Sequence, residues 1–559
     1  MSDKFSIGLD YGTNSVRALV VKVHSGEEVG SHVFNYPSGK SGILLDVSNP
    51  DLARQRPADY VRGLEESIRG ALDAAAERPG FDRALVIGIG IDTTGSTPIP
   101  VDADGRPLSF DPRFTDNLNA QAWLWKDHTG HAEAAEITAL AERIRPEFLA
   151  KCGGTYSSEW FWSKILHCLR ADPTVFDAAA TWVEHADWMP AVLTGTEHPD
   201  ALKRSICAAG HKAMFNASWS GYPDADFLSE LDPKLARVAA SLPSRAHNVS
   251  EPAGGLTAEW AQRLGLTPGI PVAVGAFDAH LGAVGSGIRP GTLVKIIGTS
   301  TCDLMIAPTG EALPDIPGLC GIVPESVVPG FFGLEAGQSA VGDIFNWFVD
   351  VVRPEGMDHE HLTEAAEALR PGESGLLSLD WHNGNRTVLV DQRLTGMILG
   401  LTLHSSPAEI YRALIESTAF GARVIVERLE EYGVPVERIV NCGGISAKNR
   451  LVMQIYADIL GRPQMISRSK QTPALGAAIA GAVVAGESAG GHGSFGAAAD
   501  AMTGIDDAVF HPIAENQRVY DRLYKVYRKL HDAFGVEGEQ HDLYGVMKEL
   551  LQIRDEVRH

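Results

Sequence analysis

At 559 residues, with 44% hydrophobic and 21% charged residues, the chain is too long for one hydrophobic core, so two large domains are the simplest expectation and nothing suggests disorder. A formal net charge of −23 and an isoelectric point near 5.2 argue against a nucleic-acid partner, since such affinity rests on Lys and Arg neutralising phosphates. The six cysteines lie far apart with no CxxC among them, which favours neither a zinc module nor a disulfide scaffold and fits a reducing cytoplasm.

The opening MSDKFSIGLD has no basic region leading into an apolar one, so no secretory signal is expected and the mature chain is expected to start here. Phe5 to Val23 holds two strand-forming runs separated by Gly12-Thr13-Asn14, the pattern of a hairpin with a small polar turn. Asp10 ends the first run, where its carboxylate and the approachable backbone N–H groups of the turn would serve a hard cation and a phosphate together. An Asp that merely caps the turn is the alternative. Gly39-Lys40-Ser41 resembles the end of a phosphate loop, but Phe34 stands where the leading Gly belongs, so it reads as a surface turn.

Leu85 to Ile91 reads as a short buried strand. Two aromatic patches follow, Trp123 and Trp125 with Asp127, then Trp160 and Trp162. They offer either a sugar-binding wall with polar fingers or ordinary core. Lys212 is a lone cation among small and apolar neighbours, as Glu335 is a lone anion further on; a solvated role is the alternative for both. Pro271 to Gly275 reads as a further buried strand, and Asp278 just beyond it could face a cleft and take a proton from a substrate hydroxyl, or simply cap the next helix.

Thr292 to Ile306 repeats the first hairpin, with Gly298-Thr299-Ser300-Thr301 at its turn. The copies lie about half the chain apart, far beyond the period of about 20–50 residues seen in solenoids, so duplication of a whole domain is the natural reading, with a chance match of two short Gly-Thr hairpins as the alternative. Two such turns facing each other would clamp a phosphoryl group. Ala408 to Tyr432 predicts a helix ended by Gly433 and Pro435. Arg438 to Asn441 predicts a strand, and Gly443-Gly444 at its junction with the helical run containing Asn449 would let a ribose or flat ring approach the backbone, a plain tight turn being the more common reading of a lone Gly-Gly. Ala474 to Ala485 is too short to cross a membrane and predicts a buried helix. Gly486 to Gly490 matches a hydrolase elbow in spelling only, because it follows a helix instead of joining strand to helix. A last helix runs past Tyr520 and Phe534 to Gly535. The pairs His128 with His131 and His359 with His361 lack a third metal ligand nearby. Strands alternating with helices imply an α/β architecture.

In their order along the chain, IGLDYGTNSVRALV, GIDTTGSTPIPVD, LWKDH, GAFDAHLGAVG, VKIIGTST, NCGGISAKNRLVMQIYADILGRP and PALGAAIAGA resemble the FGGY carbohydrate kinases, relatives of actin and hexokinase. CGGTYSSEWFWSKILH, EHADWMPAVLTG, AAGHKAMF and GLEAGQSAVGD resemble the ribulokinases within that family, and Gly95-Ser96 stands where glycerol kinases carry Arg-Glu.

The resemblance implies two ribonuclease-H-like domains of the actin-like ATPase type. A sugar-binding domain is expected over 1–288 and a nucleotide-binding domain over 289–559, with ATP and Mg²⁺ in the cleft between them. It implies Asp278 as catalytic base and Asp10 as the metal-side carboxylate. Thr13, Asn14, Gly298 and Thr299 would contact phosphate, Gly443, Gly444 and Asn449 would hold the adenosine, and Ser96, Trp125, Lys212 and Glu335 would join Asp278 around the sugar. The activity implied is phosphorylation of L-ribulose, or D-ribulose, at the 5-hydroxyl, as in L-arabinose catabolism. Xylulose and ribitol are alternative substrates, and an actin-like ATPase without a small-molecule acceptor is the alternative class. No membrane or nucleic-acid partner is expected, the location expected is cytoplasmic, and a homodimer is compatible with an acidic enzyme of this kind.

Overall fold

Two mixed sheets of seven strands each organise the chain, and they are laid out alike. The computed structural model describes residues 3–559. In the first sheet Phe5–Tyr11 (β1), Ser15–Lys22 (β2) and Glu28–Asn35 (β3) form an antiparallel meander, and Val86–Thr93 (β4) lies parallel to β1. Pro252–Gly255 (β5) borders Pro271–Ala273 (β6), which runs parallel to β4, as does Ala276–Phe277 (β7). The second sheet repeats the plan. Thr292–Ile297 (β8), Thr301–Pro308 (β9), Gly321–Pro324 (β10) and Phe331–Ala336 (β11) are antiparallel neighbours. Arg438–Cys442 (β12) and Gln464–Ser467 (β13) then add in parallel beside β8, with Ile505–Phe510 (β14) at the edge. The repetition suggested by two Gly-Thr hairpins is therefore a repetition of strand order. Central strands β1 and β4 are buried along nearly their whole length, as unbroken apolar runs such as VIGIGI require when both faces of a sheet are covered.

Helices cover the sheets. Pro57–Ala76 (α1) packs on β2 and β3, while Phe161–Ala171 (α2) and Ile206–Lys212 (α3) belong to elaborations of the first half. Asp278–Gly285 (α4) follows β7 directly. Pro407–Glu431 (α5) opens on a capping box made by Ser406 and Glu409, and the chain turns away at Gly433, whose φ of 83° an L side chain rarely adopts. Gly444–Lys448 (α6) and Arg450–Leu460 (α7) follow β12, and Ala514–Gly535 (α9) buries Tyr520, Leu523, Tyr527 and Leu530 against the second core. Trp123, Trp160 and Trp162 are core in the elaborated part of the first half: each indole is buried, Trp162 Nε1 donates to the Ala213 carbonyl at 2.9 Å, and Arg54 covers the Trp123 ring at 3.3 Å.

The Gly/Ala-rich helix Thr472–Ala485 (α8) is buried as its composition predicts, but its position is not local: it packs on β1 and β4 of the first sheet and on α4. Approach is at backbone distance. A Cβ on Gly8 would stand 1.8 Å from the Ala474 carbonyl oxygen, and one on Gly90 would stand 1.9 Å from that of Ala477. Ser6 Oγ donates to the Ala478 carbonyl at 2.7 Å, tying the two elements further. Gly8→Val should therefore cost about 3 kcal/mol or more, since neither backbone can yield, and denaturant unfolding will measure it. Among the described residues no helix is long and apolar enough to cross a membrane.

Candidate active site

Three carboxylates converge where β1, β4 and β7 end. Asp10 pairs in register with Asp92 across the parallel β1 and β4 strands, and β7 aligns Ala276 with Asp92 and Phe277 with Thr93. The chain then enters α4 with Asp278 as its first residue, so Asp278 lies just past Asp92 at the same sheet edge. Asp92 is fully buried, and neither of its oxygens has a hydrogen-bonding partner among the described residues. Burial, and then the charges of Asp10 and Asp278, push its carboxyl well above the usual range. Burial raises Asp10 too, opposed by the Arg17 guanidinium at 3.6 Å. Asp278 is half-buried; desolvation and the Asp10 charge lift it to about 7, against the pull of the Ala279 N–H at 2.6 Å. An all-oxygen cluster carrying more carboxylates than it can ionise is suited to a hard divalent cation and to proton transfer near neutral pH.

Phosphate-binding candidates stand at the two hairpin turns. In the first, Thr13 Oγ1 receives a hydrogen bond from Trp125 Nε1 at 3.1 Å and its carbonyl accepts from Gln55 at 2.7 Å, while the exposed Asn14 amide donates to the Ser41 carbonyl at 2.7 Å. That contact ties the turn to the surface bend at Gly39-Lys40-Ser41. In the second, Gly298 and Thr299 are exposed, and their carbonyls are occupied by the N–H groups of Val341, Gly342 and Asp343, leaving the outer side of the turn open. Gly443 has a φ of 96°, and a Cβ there would lie 2.4 Å from the Ile297 carbonyl oxygen, so the strand-to-helix junction at Gly443-Gly444 sits directly against the Gly298 turn. Asn449 caps α7 by accepting from Val452 N–H at 3.1 Å, with its amide directed to Thr363. The second domain thus brings Gly298, Thr299, Gly443 and Gly444 together, with Asn449 at the far end of α6.

The sugar candidates fall into two groups. Lys212 reaches from α3 across to Glu335 on β11, with its ammonium 3.0 and 3.2 Å from the two carboxylate oxygens. Burial would raise Glu335, but Lys212 with the nearby His211 and His280 holds it well below the usual carboxylate range. Burial lowers both imidazoles, His280 to about 4, so the Lys212 ammonium, against both carboxylate oxygens, is the leading positive charge on Glu335. Ligand atoms of His211, His280 and Glu335 lie within 4.8 Å of one another, but the Lys212 ammonium on both Glu335 oxygens opposes a second cation there.

Ser96 is fully buried, and its hydroxyl is turned to Glu184. Glu184 also accepts from Thr97 N–H at 2.7 Å, while Lys164 donates to the carbonyls of Ser96, Leu124 and Trp123 at 2.9, 2.9 and 3.3 Å. Lys164 and Glu184 therefore shape the Thr94–Thr97 loop from behind. Trp125 stands apart from the Lys212 group, on Thr13. The histidine pairs set aside from the sequence bond elsewhere, His128 to Ser158 and His359 to Tyr411 and Asn346.

Sequence reasoning missed Asp92, Lys164, Glu184, His211 and His280. The signal for Asp92 was at hand: the apolar strand runs two residues past Ile91, and extending it puts Asp92 in the position Asp10 holds on β1.

With this geometry in view, comparison with known proteins is direct. Residues 5–285 match the N-terminal domain and residues 293–485 the C-terminal domain of the FGGY family of carbohydrate kinases. A ribulokinase of Shouchella clausii is 43% identical over 571 residues, covering 99% of each chain, and one of Mycolicibacterium smegmatis is 42% identical over 549 residues, covering 95% of this chain and 94% of the other. Among solved structures, a xylulose kinase from Rhodospirillum rubrum superposes with a TM-score of 0.77 at 25% identity, over 95% of this chain and 99% of that one. The ligand-bound xylulose kinase from Lactobacillus acidophilus gives 0.78 at 19%, over 96% and 99%, a likeness of fold. Two related α/β halves, a carboxylate cluster at the edge of the first sheet and matches across both halves lead to one conclusion: the chain belongs to the FGGY family of carbohydrate kinases, enzymes that use ATP to phosphorylate a small sugar.

Proposed function

We propose that the chain transfers the γ-phosphoryl group of ATP to the 5-hydroxyl of L-ribulose, giving L-ribulose 5-phosphate and ADP, as a step of L-arabinose catabolism in the cytoplasm. The observation that carries this is Asp278, a half-buried carboxylate lifted to about 7 beside Asp10 and within the field of the Lys212–Glu335 pair. The ribulokinase relatives at 42–43% identity support a ribulose as the acceptor. D-Ribulose is the second ketopentose to test, and a homodimer is part of the same reading.

In this mechanism Asp278 accepts the proton as the sugar oxygen attacks phosphorus, and Lys212 and Glu335 orient the hydroxyls with one donor and one acceptor group. Asp10 and Asp92 would hold Mg²⁺, which supplies charge neutralisation for the phosphates when bound. The Gly298-Thr299 and Gly12-Thr13-Asn14 turns approach the phosphates from opposite domains, and Gly443, Gly444 and Asn449 line the adenosine side. The glycines among them allow the nucleotide close to the backbone.

A coupled ADP-release assay across L-ribulose, D-ribulose, xylulose, ribitol and glycerol tests the substrate. The expected result is a kcat/KM for L-ribulose at least tenfold above xylulose and glycerol; preference for either of those two would overturn the choice. A pH profile tests the base. Because Asp278 acts only when ionised, kcat/KM should climb about tenfold per pH unit below pH 7 and level off above it. A flat profile between pH 5.5 and 8 would contradict the assignment.

A further inference from the structure

Among the described residues, the charged side chains of Arg386 and Glu159, near the Lys212–Glu335 pair, have no partners. Arg386 lies in the irregular stretch between Leu379 and Met397, and its neighbour Thr387 anchors it beside β11. Thr387 Oγ1 accepts from Gly337 N–H at 2.8 Å, two residues past Glu335, and lies 4.0 Å from Cys320 Sγ, which itself contacts the Glu335 carbonyl at 3.1 Å. Arg386 is half-buried, yet its guanidinium takes no hydrogen bond or ion pair among the described residues. Burial would lower its pKa, but negative groups at longer range raise it, Glu159 foremost and Glu335 among the rest.

Glu159 comes from the first domain, immediately before Trp160, whose ring lies 5.3 Å from the Lys212 ammonium. Glu159 is half-buried as well; its backbone N–H is held by Ser157 Oγ at 3.2 Å, while its carboxylate is free among the described residues. A guanidinium only donates hydrogen bonds and a carboxylate only accepts them. Desolvating either without a partner is costly, and two opposite charges that flank the Lys212–Glu335 pair from different segments without meeting leave room for a molecule that both donates and accepts. A polyhydroxylated ketone has that character: its hydroxyls donate to one side and its oxygens accept from the other.

The geometry points to Arg386 and Glu159 as further sugar-binding residues, gripping the ketopentose from opposite domains around the Lys212–Glu335 pair, with Arg386 donating to its oxygens and Glu159 accepting from its hydroxyls. This rests on the reading of the substrate as a ketopentose. It makes specificity a property of both domains: a sugar seated on the first domain alone would miss the Arg386 contact.

The test is steady-state kinetics of the full chain, with calorimetric titration of L-ribulose. Arg386→Ala should raise KM for L-ribulose about 10- to 100-fold, with KM for ATP within about twofold of the parent. Arg386→Lys should recover part of the loss, because an ammonium replaces only some of the donors. Glu159→Gln should raise KM about tenfold, and the double variant should lose less than the product of the single losses, since both grip one ligand. If Arg386→Ala destabilises the fold, as thermal unfolding would reveal, Arg386→Lys and Glu159→Gln carry the test. Unchanged sugar KM and affinity in Arg386→Lys and Glu159→Gln, or a loss shared equally with ATP, overturns the inference while wild-type turnover of L-ribulose leaves the substrate reading intact. Failure of the wild type to turn over any ketopentose removes both.

Discussion

Asp278→Asn is expected to lower kcat about 10²- to 10⁴-fold, the span that a positioned general base contributes, while an ATP analogue still binds with parental affinity. Asparagine keeps the size and the hydrogen bond geometry at the start of α4 but cannot take a proton. Calorimetry with a non-hydrolysable analogue separates the two effects, and kcat within tenfold of the parent would remove Asp278 from the role. The same variant has a second signature, in stability. The folded-state pKa of about 7 lies above the unfolded value near 3.8, so folding favours the protonated acid. That contribution is complete below about pH 4 and is lost as pH rises through 7. From 3.8 to about 7, at about 1.36 kcal/mol per pH unit, the ceiling is about 4 kcal/mol, and partial solvent access reduces it to about 1–2 kcal/mol. Asp278→Asn should therefore unfold at higher temperature than the parent at pH 8, and with no advantage at pH 4. Activity and stability pull in opposite directions at this residue, as they do where a site holds a group against its solvation preference.

Lys164→Met is expected to cost about 3–5 kcal/mol of stability and to weaken sugar binding as well. The Lys164 side chain is fully buried on α2, and its three N–H bonds go to three backbone carbonyls, those of Ser96, Trp123 and Leu124. Burial draws its pKa down to about 7, but three acceptors match the three donors of an ammonium, and Glu184 adds a favourable negative charge. Methionine fills similar space and offers none of this. Three carbonyls lose their donor and Glu184 loses its counter-charge, each a recognised source of large losses. Chemical denaturation measures the stability term, and KM for the sugar reports the slackened Thr94–Thr97 loop. A loss below 1 kcal/mol with an unchanged KM would show that water substitutes for the ammonium.

How much was legible in the sequence follows from how local each signal is. The Gly-Thr hairpins, the long α5 with its Gly433 stop and the stripe of α9 are written in neighbouring residues, and the structure places them within a residue or two of expectation. The burial of α8 was legible from its Gly and Ala content. Its docking onto β1 was not, because that depends on pairing Ser6 and Gly8 with residues more than four hundred positions away. The same holds at the site. Asp10 and Asp278 stand at strand ends beside turns and advertise themselves, while Asp92 hides at the end of an apolar run and Lys164 looks like any helix residue until its three acceptors are assembled from elsewhere. Tryptophans in pairs suggested a sugar wall, yet Trp123 and Trp162 are interior. Side-chain type alone does not distinguish a pocket lining from a core.

The seat of α8 has a consequence for how the protein is made. During synthesis β1, β4 and α4 leave the ribosome long before residues 472–485 do, and at about 5–20 residues per second the interval is on the order of ten seconds or more. Through that time the bare glycine face of the first sheet has no cover of its own, a natural footing for a chaperone or for a wrongly docked segment. A gene cut between the two repeats should accordingly yield an insoluble first fragment, and adding a separate peptide spanning residues 472–485 during refolding should restore it.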